Sequence, residues 1–477
     1  MLNLRTLILG LPRTCLQTGL QNEPKYSEKQ SEFGTVNWTP YLFINKRHIM
    51  KRTYFQKNIK LNDNSYLYVN FLNMSFMLLP KSKHEMIECN DLHAIKVKDN
   101  NFYNELLVNK FIADDDFDEF GYVELNRKLQ KYDTSIYQLI INPTLDCNMS
   151  CWYCYEKKVC NSAISHEIVE AIKKNIALHD SNKPFRDLRL SFFGGEPFLC
   201  FKTIEELSEY SYHYCIDKGK NLILDFTTNG TLVTDDKLVS LSKYHCVFQI
   251  TLDGNREQHN KIKFLSNKRV DTFQKTIDNI NAILSTIPNS FVFIRLNFNE
   301  RTLRDFDDIL EQLKPFDRKR VKIILKKVWQ VNTDIINKKE LMNVIQKLFD
   351  NSFIVDYYTQ GGLCFGEQMN EVVINYDGQV FKCTTIEEFN KENSFGHIDI
   401  DTGSIVWDKN KVSILGYELI STKCKKCKLY PTCYGPCTFH LLANQDDCYL
   451  KSLNLTLSEY ILFMFKNEIV RQTVFGK

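Results

Sequence analysis

The chain has 477 residues, room for about three domains, and 43% of them are hydrophobic and 25% charged. With 61 basic and 58 acidic side chains the net charge is +3, which excludes a strongly basic nucleic-acid binder and an acidic tail. The outlier is cysteine, with 16 in all: three from Cys147 to Cys154, seven from Cys364 to Cys448, and six scattered. A chain this long with a full apolar complement is no disulfide-stapled secreted scaffold, so metal-bound thiolates in a reducing compartment are the better reading.

The N-terminal MLNLRTLILGLPRTC holds a short apolar run broken by Pro12 and Arg13, too short for a signal-peptide core. No stretch approaches the roughly 20 apolar residues of a membrane span, so a cytoplasmic protein with no membrane or nucleic-acid partner is expected. Residues 1–36 read as a polar tail. Residues 37–133 hold alternating segments, YLYVNFLN and SFMLLP, that predict a short antiparallel sheet. Helices are predicted near Lys83–Ile95 and Asn101–Val108, then a strand, KFIAD, and an acidic segment. The texture is a small α+β, winged-helix-like module.

From Tyr137 onward a rhythm appears. Strand-like runs YQLIIN, LRLSFFGG, LILDFTTNG, VFQITLDG, FVFIRLNFN and VKIILKKV alternate with helix-length segments: His166–His179, Thr203–Lys218, Asp235–His245, Asp271–Thr286, Thr302–Lys314 and Lys338–Asp350. Six βα units predict an α/β fold, a partial (β/α)6 TIM-like barrel over residues 134–355, with chemistry at the C-terminal strand ends. Cys147, Gly194-Gly195-Glu196-Pro197, Thr228-Asn229-Gly230 and Thr251-Leu252-Asp253-Gly254 follow the first four strands. Asn229 reads as a cap for the helix that starts near Thr234. Residues 356–450 lose this period, carry turn signals such as Gly361-Gly362 and hold seven cysteines, so they need staples. Residues 451–477, around LSEYILFMF, read as a packed amphipathic helix.

Cys147, Cys151 and Cys154 form C-x3-C-x2-C. Three thiolates on one loop can hold three irons of a 4Fe–4S cluster and leave the fourth open. The alternative is a zinc site completed by Cys160 or His166. Together with Tyr153 before the third cysteine and GGEP after the next strand, the loop resembles the radical SAM superfamily, from Tyr137 to about Trp329. The resemblance implies that Cys147, Cys151 and Cys154 bind the cluster and that S-adenosylmethionine chelates its open iron. It also implies that Gly194, Gly195 and Glu196 meet the methionine amino group and that Tyr153 lines the adenine pocket. Thr251 falls where the family often has a cofactor-contacting serine. Lys263 falls where an arginine often holds the methionine carboxylate, which keeps the charge and loses the fork.

The later array, Cys364-x13-Gly378-x4-Cys383, Cys424-x2-Cys427-x5-Cys433-x3-Cys437 and Cys448, resembles the SPASM extension of radical SAM peptide-modifying enzymes. That implies two auxiliary 4Fe–4S clusters, one on Cys364, Cys383 and Cys437, the other on Cys424, Cys427, Cys433 and Cys448. The alternative is a pair of zinc knuckles. Seven ligands leave one iron position open, and Asn370 stands where some relatives have an eighth cysteine. Cys15, Cys89, Cys160, Cys200, Cys215 and Cys246 read as small buried hydrophobes.

The resemblance implies a ribosomal-peptide (RiPP) maturase that installs a thioether, carbon–carbon or ether crosslink in a precursor peptide by way of a 5′-deoxyadenosyl radical. Residues 37–133 resemble a leader-peptide-binding module in size and position, and a flavodoxin- or ferredoxin-type protein would supply electrons. One alternative is a SPASM enzyme that oxidises a protein side chain, as sulfatase maturases do, or a small molecule. That sulfatase branch commonly has an aspartate after the second SPASM cysteine, where this chain has Thr384. Another is a non-catalytic peptide-binding partner subunit. Asp253, Glu371 and Tyr376 are candidates for a base.

Overall fold

The computed structural model describes residues 49–265, 270–328, 337–357, 362–446 and 448–476. The expected tail (1–36), Cys15, residues 37–48 of the expected leader module, Trp329 and Gly361 lie outside them. The described chain divides into two compact units.

The first unit comprises residues 49–126, Gly362 and Thr422–Tyr434. Its strands are β1 (Met50–Arg52), β2 (Gln56–Asn62), β3 (Ser65–Asn70), β4 (Ser75–Pro80) and β5 (Ile112–Asp114). β2, β3 and β4 form an antiparallel sheet with β3 central, and β1 pairs with β5. Helices Lys81–Glu88, Leu92–Lys98 and Asn100–Val108 pack around Tyr68, Leu79, Ile87, Ile95, Phe102 and Phe111. The helix expected over Lys83–Ile95 is two. Asn90 takes a left-handed φ of 55°, a conformation that ends a helix, and Asp91 caps the next one by accepting from the Ala94 amide at 2.8 Å. The segment Thr422–Tyr434, with Cys424, Cys427 and Cys433, packs in this unit. Tyr430 is buried there and its hydroxyl donates to Glu124 Oε1 at 2.8 Å.

The second unit holds residues 127–357, 363–421 and 435–476 among those described. Seven parallel strands follow one another across its sheet: β6 (Ile136–Asn142), β7 (Asp187–Phe192), β8 (Asn221–Thr228), β9 (His245–Leu252), β10 (Ser290–Phe298), β11 (Val321–Lys327) and β12 (Val355–Asp356). The six predicted runs are the first six of these. Helices His166–Asn182, Phe201–Asp217, Asp235–Leu241, Thr272–Thr286, Phe306–Leu313 and Lys338–Asp350 connect them. Alternation sorts each strand into two faces. Leu188, Leu190, Leu224, Phe248, Ile250, Val292 and Ile294 are buried on the helix side, and Phe192, Phe226 and Phe248 stack across three strands at 5.5 and 4.9 Å. The other face carries Gln138, Arg189, Asp225, Gln249, Thr251, Arg295 and Asn297, a polar lining instead of a packed barrel core.

The sheet does not stop at β6. β13 (Glu371–Asn375) pairs parallel with β6 on its free side, and β14 (Gln379–Phe381), β15 (Gly396–Ile398) and β16 (Ile405–Trp407) add antiparallel strands beyond it. The cysteine-rich segment, without periodicity in sequence, thus extends the same 11-stranded sheet. At the opposite edge, helix Leu457–Phe475 opens with a capping box between Thr456 and Glu459. From that helix Asn467 accepts from the Val355 amide at 2.9 Å and donates to the Val355 carbonyl at 2.6 Å. No helix among the described residues is long and apolar enough to cross a membrane.

Candidate active site

The loop after β6 is braced before it reaches the cysteines. Thr144 Oγ1 donates to the Ser162 carbonyl at 2.6 Å. The Asp146 carboxylate accepts from the Asn161 amide at 2.9 Å and the Cys147 amide at 2.7 Å, with Lys158 at 3.3 Å. The Asn161 amide foremost, then the Cys147 amide and Lys158, hold that carboxyl below its usual range against the cost of burial.

The GGEP turn after β7 lies directly on this loop. The Gly195 amide donates to the Thr144 carbonyl at 3.1 Å and the Glu196 amide to the Asp146 carbonyl at 2.8 Å. A Cβ on Gly195 would stand 2.1 Å from the Asp146 oxygen. One on Gly194, whose φ is +98°, would stand 2.4 Å from the Thr144 oxygen. Both glycines are therefore required by backbone approach. Glu196 is fully buried and accepts from the Phe198 amide (3.0 Å), Thr228 Oγ1 (2.8 Å) and the Asn229 amide (2.8 Å). Burial pushes its carboxyl up while these donors pull it back. One side chain thus ties the ends of β7 and β8. Asn229 does not cap the following helix, whose N-cap is Thr234. Its side chain turns the other way, donating to Asn148 Oδ1 at 2.8 Å and lying 3.9 Å from Cys147 Sγ.

Around the cysteines the polar groups are tightly paired. The Tyr153 hydroxyl donates to the Asp253 carboxylate at 2.6–2.7 Å and accepts from Asn297 Nδ2 at 3.0 Å. Lys263, buried, has its Nζ 3.8 Å from Cys151 Sγ and 3.7 Å from Asp253 Oδ2. Burial works against its charge, yet Asp253, Tyr153, Cys151 and Cys147 together hold the ammonium above the ordinary lysine range. Burial likewise pushes the Cys147 thiol up to about 11. A site that raises its thiols and keeps a cation beside them is suited to thiolates neutralised by metal. Thr251 stands on the same polar face, in register with Arg295.

Tetrahedral zinc with bonds of about 2.3 Å draws its sulfurs to within about 4 Å of one another. Among the described residues only His166, Glu170 and Glu206 bring three ligand atoms within 4.8 Å. There the Lys173 ammonium already sits 2.6 Å from each glutamate. Cys160 is exposed, and His166 belongs to that ion-pair group rather than to the cysteine loop.

In the same unit Cys364, Cys383 and Cys437 lie within electrostatic reach of one another. Cys383 Sγ accepts from the Thr385 amide at 3.3 Å. Asn370 is turned away from them. It is buried, its Oδ1 lies 2.7 Å from His179 Nε2, and its Nδ2 donates to the Ile136 carbonyl at 2.6 Å. It is a strut under β6, not a spare ligand. Of the candidate bases, Asp253 is engaged by Tyr153 and Tyr376 packs on the Ile140–Phe381 cluster. Burial pushes the Glu371 carboxyl up to about 7, against Lys382 and Arg189. Asn148 and Asn297, which complete the contacts around Cys147 and Tyr153, carry no signal in sequence beyond their place, Asn148 in the loop after β6 and Asn297 near the end of β10.

Residues 141–313 match the family model described as Radical SAM superfamily. A cysteine-type anaerobic sulfatase-maturating enzyme of Clostridium novyi is 25% identical over 343 residues, 64% of this chain and 88% of that protein. The radical SAM cyclopropyl synthase TigE of Paramaledivibacter caminithermalis is 22% identical over 327 residues, 61% of this chain and 65% of that protein. A solved structure of native anSMEcpe with bound AdoMet and a Cp18Cys peptide covers 72% of this chain and 98% of its own, at 19% identity and a TM-score of 0.50, a likeness of fold. The chain carries a radical SAM domain and is an enzyme dependent on S-adenosylmethionine and a 4Fe–4S cluster. Its two relatives are named for different reactions, so the comparison gives the class of chemistry rather than the product.

Proposed function

We propose that the protein is a radical SAM peptide maturase that installs a thioether, carbon–carbon or ether crosslink in a ribosomally made precursor peptide. The observation that carries this reading is the contact between two cysteine-bearing loops at one end of the sheet. Tyr155, next to Cys154, donates to the Thr384 carbonyl at 3.3 Å, and the Lys157 amide donates to the Glu387 carbonyl at 3.0 Å. An auxiliary cluster on Cys364, Cys383 and Cys437 would thus neighbour the one on Cys147, Cys151 and Cys154, as a route for an electron leaving the substrate radical requires. Bound cluster and S-adenosylmethionine supply a 5′-deoxyadenosyl radical that abstracts a substrate hydrogen atom.

The chain's own residues orient and shield. Asp253 and Asn297 fix Tyr153, Gly194 and Gly195 open their backbone to the methionine end, and Glu196 locks the two strand ends beneath it. Lys263, whose Nζ lies 3.8 Å from Cys151 Sγ, would supply the charge that offsets the Cys151 thiolate and a methionine carboxylate. Among the described residues the β2–β3–β4 sheet leaves β2 and β4 as edges, the geometry that takes up a leader peptide by strand addition.

The sulfatase-maturating relative favours a second reading, oxidation of a single Cys or Ser side chain; Thr384 after Cys383 argues against it. Anaerobic reconstitution tests the class: three clusters give about 12 irons per chain, and Cys151→Ala removes about four and abolishes 5′-deoxyadenosine formation. Zinc in place of iron, or cleavage that survives Cys151→Ala, overturns the enzyme reading. The product from a precursor peptide encoded beside the gene decides the reaction. A crosslinked peptide supports the proposal, and one whose new aldehyde reacts with hydroxylamine replaces it with side-chain oxidation.

A further inference from the structure

Two cations on the polar face of the sheet, Arg295 and Lys326, have no carboxylate at ion-pair distance among the described residues. On β10, Val292, Ile294 and Leu296 are buried on the helix side, so alternation puts Phe293, Arg295 and Asn297 on the interior face. On β11, Val321, Ile323 and Leu325 are buried in the same way, which leaves Lys322, Ile324 and Lys326 inside. The ladder sets Arg295 opposite Thr251 on one side and Ile324 on the other, and sets Asn297 opposite Lys326. Neighbouring strands lie about 4.8 Å apart, so Lys326 stands beside Asn297, the residue that donates to Tyr153. Arg295 lies one interior position earlier on β10, in electrostatic reach of both Tyr155 and Lys326. The pair therefore lies on the same face of the sheet as Asn297, beside the residues that hold Tyr153.

Other interior cations are paired. Arg189 bonds Asp225, Lys322 lies 3.7 Å from Asp356, and Lys263 lies 3.7 Å from Asp253. Arg295 gives its Nε to the neutral Asn297 Oδ1 at 3.0 Å. Among the described residues no carboxylate lies at ion-pair distance from Arg295 or Lys326. Burial pushes the Lys326 ammonium below the ordinary lysine range; Asp356 opposes this, and Arg295 and Lys322 add to it. Two like charges on a half-buried face are costly until an anion joins them.

We propose that Arg295 and Lys326 bind a carboxylate of the substrate and so hold the residue that carries it beside the site of hydrogen abstraction. The inference rests on the peptide-modifying reading above, and its test measures selection, not turnover. Reconstituted enzyme with S-adenosylmethionine is incubated with a library of amide-capped peptides of defined composition, and the retained pool is sequenced. The wild type should enrich Asp or Glu over Asn or Gln about tenfold at one position, the worth of one charge-assisted contact. Arg295→Gln and Lys326→Gln should each abolish the enrichment, and Lys326→Arg should keep it. A parallel library with free C-termini separates the two sources of carboxylate: free-acid peptides retained about tenfold better than amide-capped ones whatever their composition, an advantage lost in both Gln variants, assign the pair to a peptide C-terminus. A wild type with neither acidic enrichment nor a free-C-terminus advantage, or with either one unchanged in both Gln variants, overturns the proposal. So does a tenfold loss of S-adenosylmethionine affinity in either Gln variant, which would assign the pair to the cofactor carboxylate. A wild type that selects acidic peptides yet never forms 5′-deoxyadenosine would count against the enzyme reading alone.

Discussion

His259 shows how one ring can report on the site. It is fully buried, and its Nδ1 accepts from the Asp253 amide at 3.2 Å, so the neutral tautomer with hydrogen on Nε2 is required. Burial, with Lys263 adding to it, pushes its pKa down to about 3. The unfolded chain takes up a proton near pH 6.5 and the folded chain does not. Stability from this group is therefore complete above about pH 6.5 and is lost as pH falls from there toward 3, by up to about 1.4 kcal/mol per pH unit. Urea midpoints measured anaerobically at pH 7 and pH 5 should fall accordingly, and His259→Phe should flatten part of that fall. The same residue positions Asp253 and through it Tyr153, a chain of contacts that no spacing in the sequence announces.

At the scale of elements, the GGEP turn and the cysteine loop act as one piece. Gly195→Ala places a methyl 2.1 Å from a backbone oxygen that cannot yield, so the two loops must part while each strand stays paired. The variant is expected to fold, to lose iron from the barrel cluster, and to form 5′-deoxyadenosine about 100-fold more slowly, the cost of roughly 1 Å of misplacement; iron analysis and single-turnover assays check this. Much of this architecture was legible beforehand. β6 to β11 declared themselves by apolar runs between helical spans, and Cys147, GGEP and Thr251 sat at their ends. The misreadings have local causes. Asn90 breaks a helix through a left-handed backbone, and the segment expected as helix to His245 ends at Leu241 because His245 already belongs to β9. Arg295 and Lys326 were missed because a lone charge in an apolar strand reads as a solvated position, and only strand register places them on one interior face.

For the whole molecule, the cysteines divide differently from their order in sequence. Cys424, Cys427 and Cys433 belong to the unit built on residues 49–126, while Cys364, Cys383, Cys437 and Cys448 belong to the other. Parallel pairing of β13 with β6, more than 200 residues apart in sequence, is equally invisible, since nothing in a short apolar run names its partner. Removing residues 1–133 would therefore strip the packing from three cysteines as well as any leader site, and proline in an edge strand is the cleaner probe. Successive residues of β2 point their amides in opposite directions, so of Lys57→Pro and Asn58→Pro one blocks an outward amide. That variant should lose leader-peptide affinity at least tenfold by fluorescence anisotropy with its iron content kept, and equal binding in both variants would remove strand addition at β2. At the far side of the sheet, the Asn467 carboxamide meets both polar groups of Val355 as a neighbouring strand would. β12 is only two residues long and would otherwise offer an open template to any passing chain. With the Val355 amide and carbonyl already satisfied, that rim offers a misregistered copy or an emerging product peptide one fewer pair of groups to add on to.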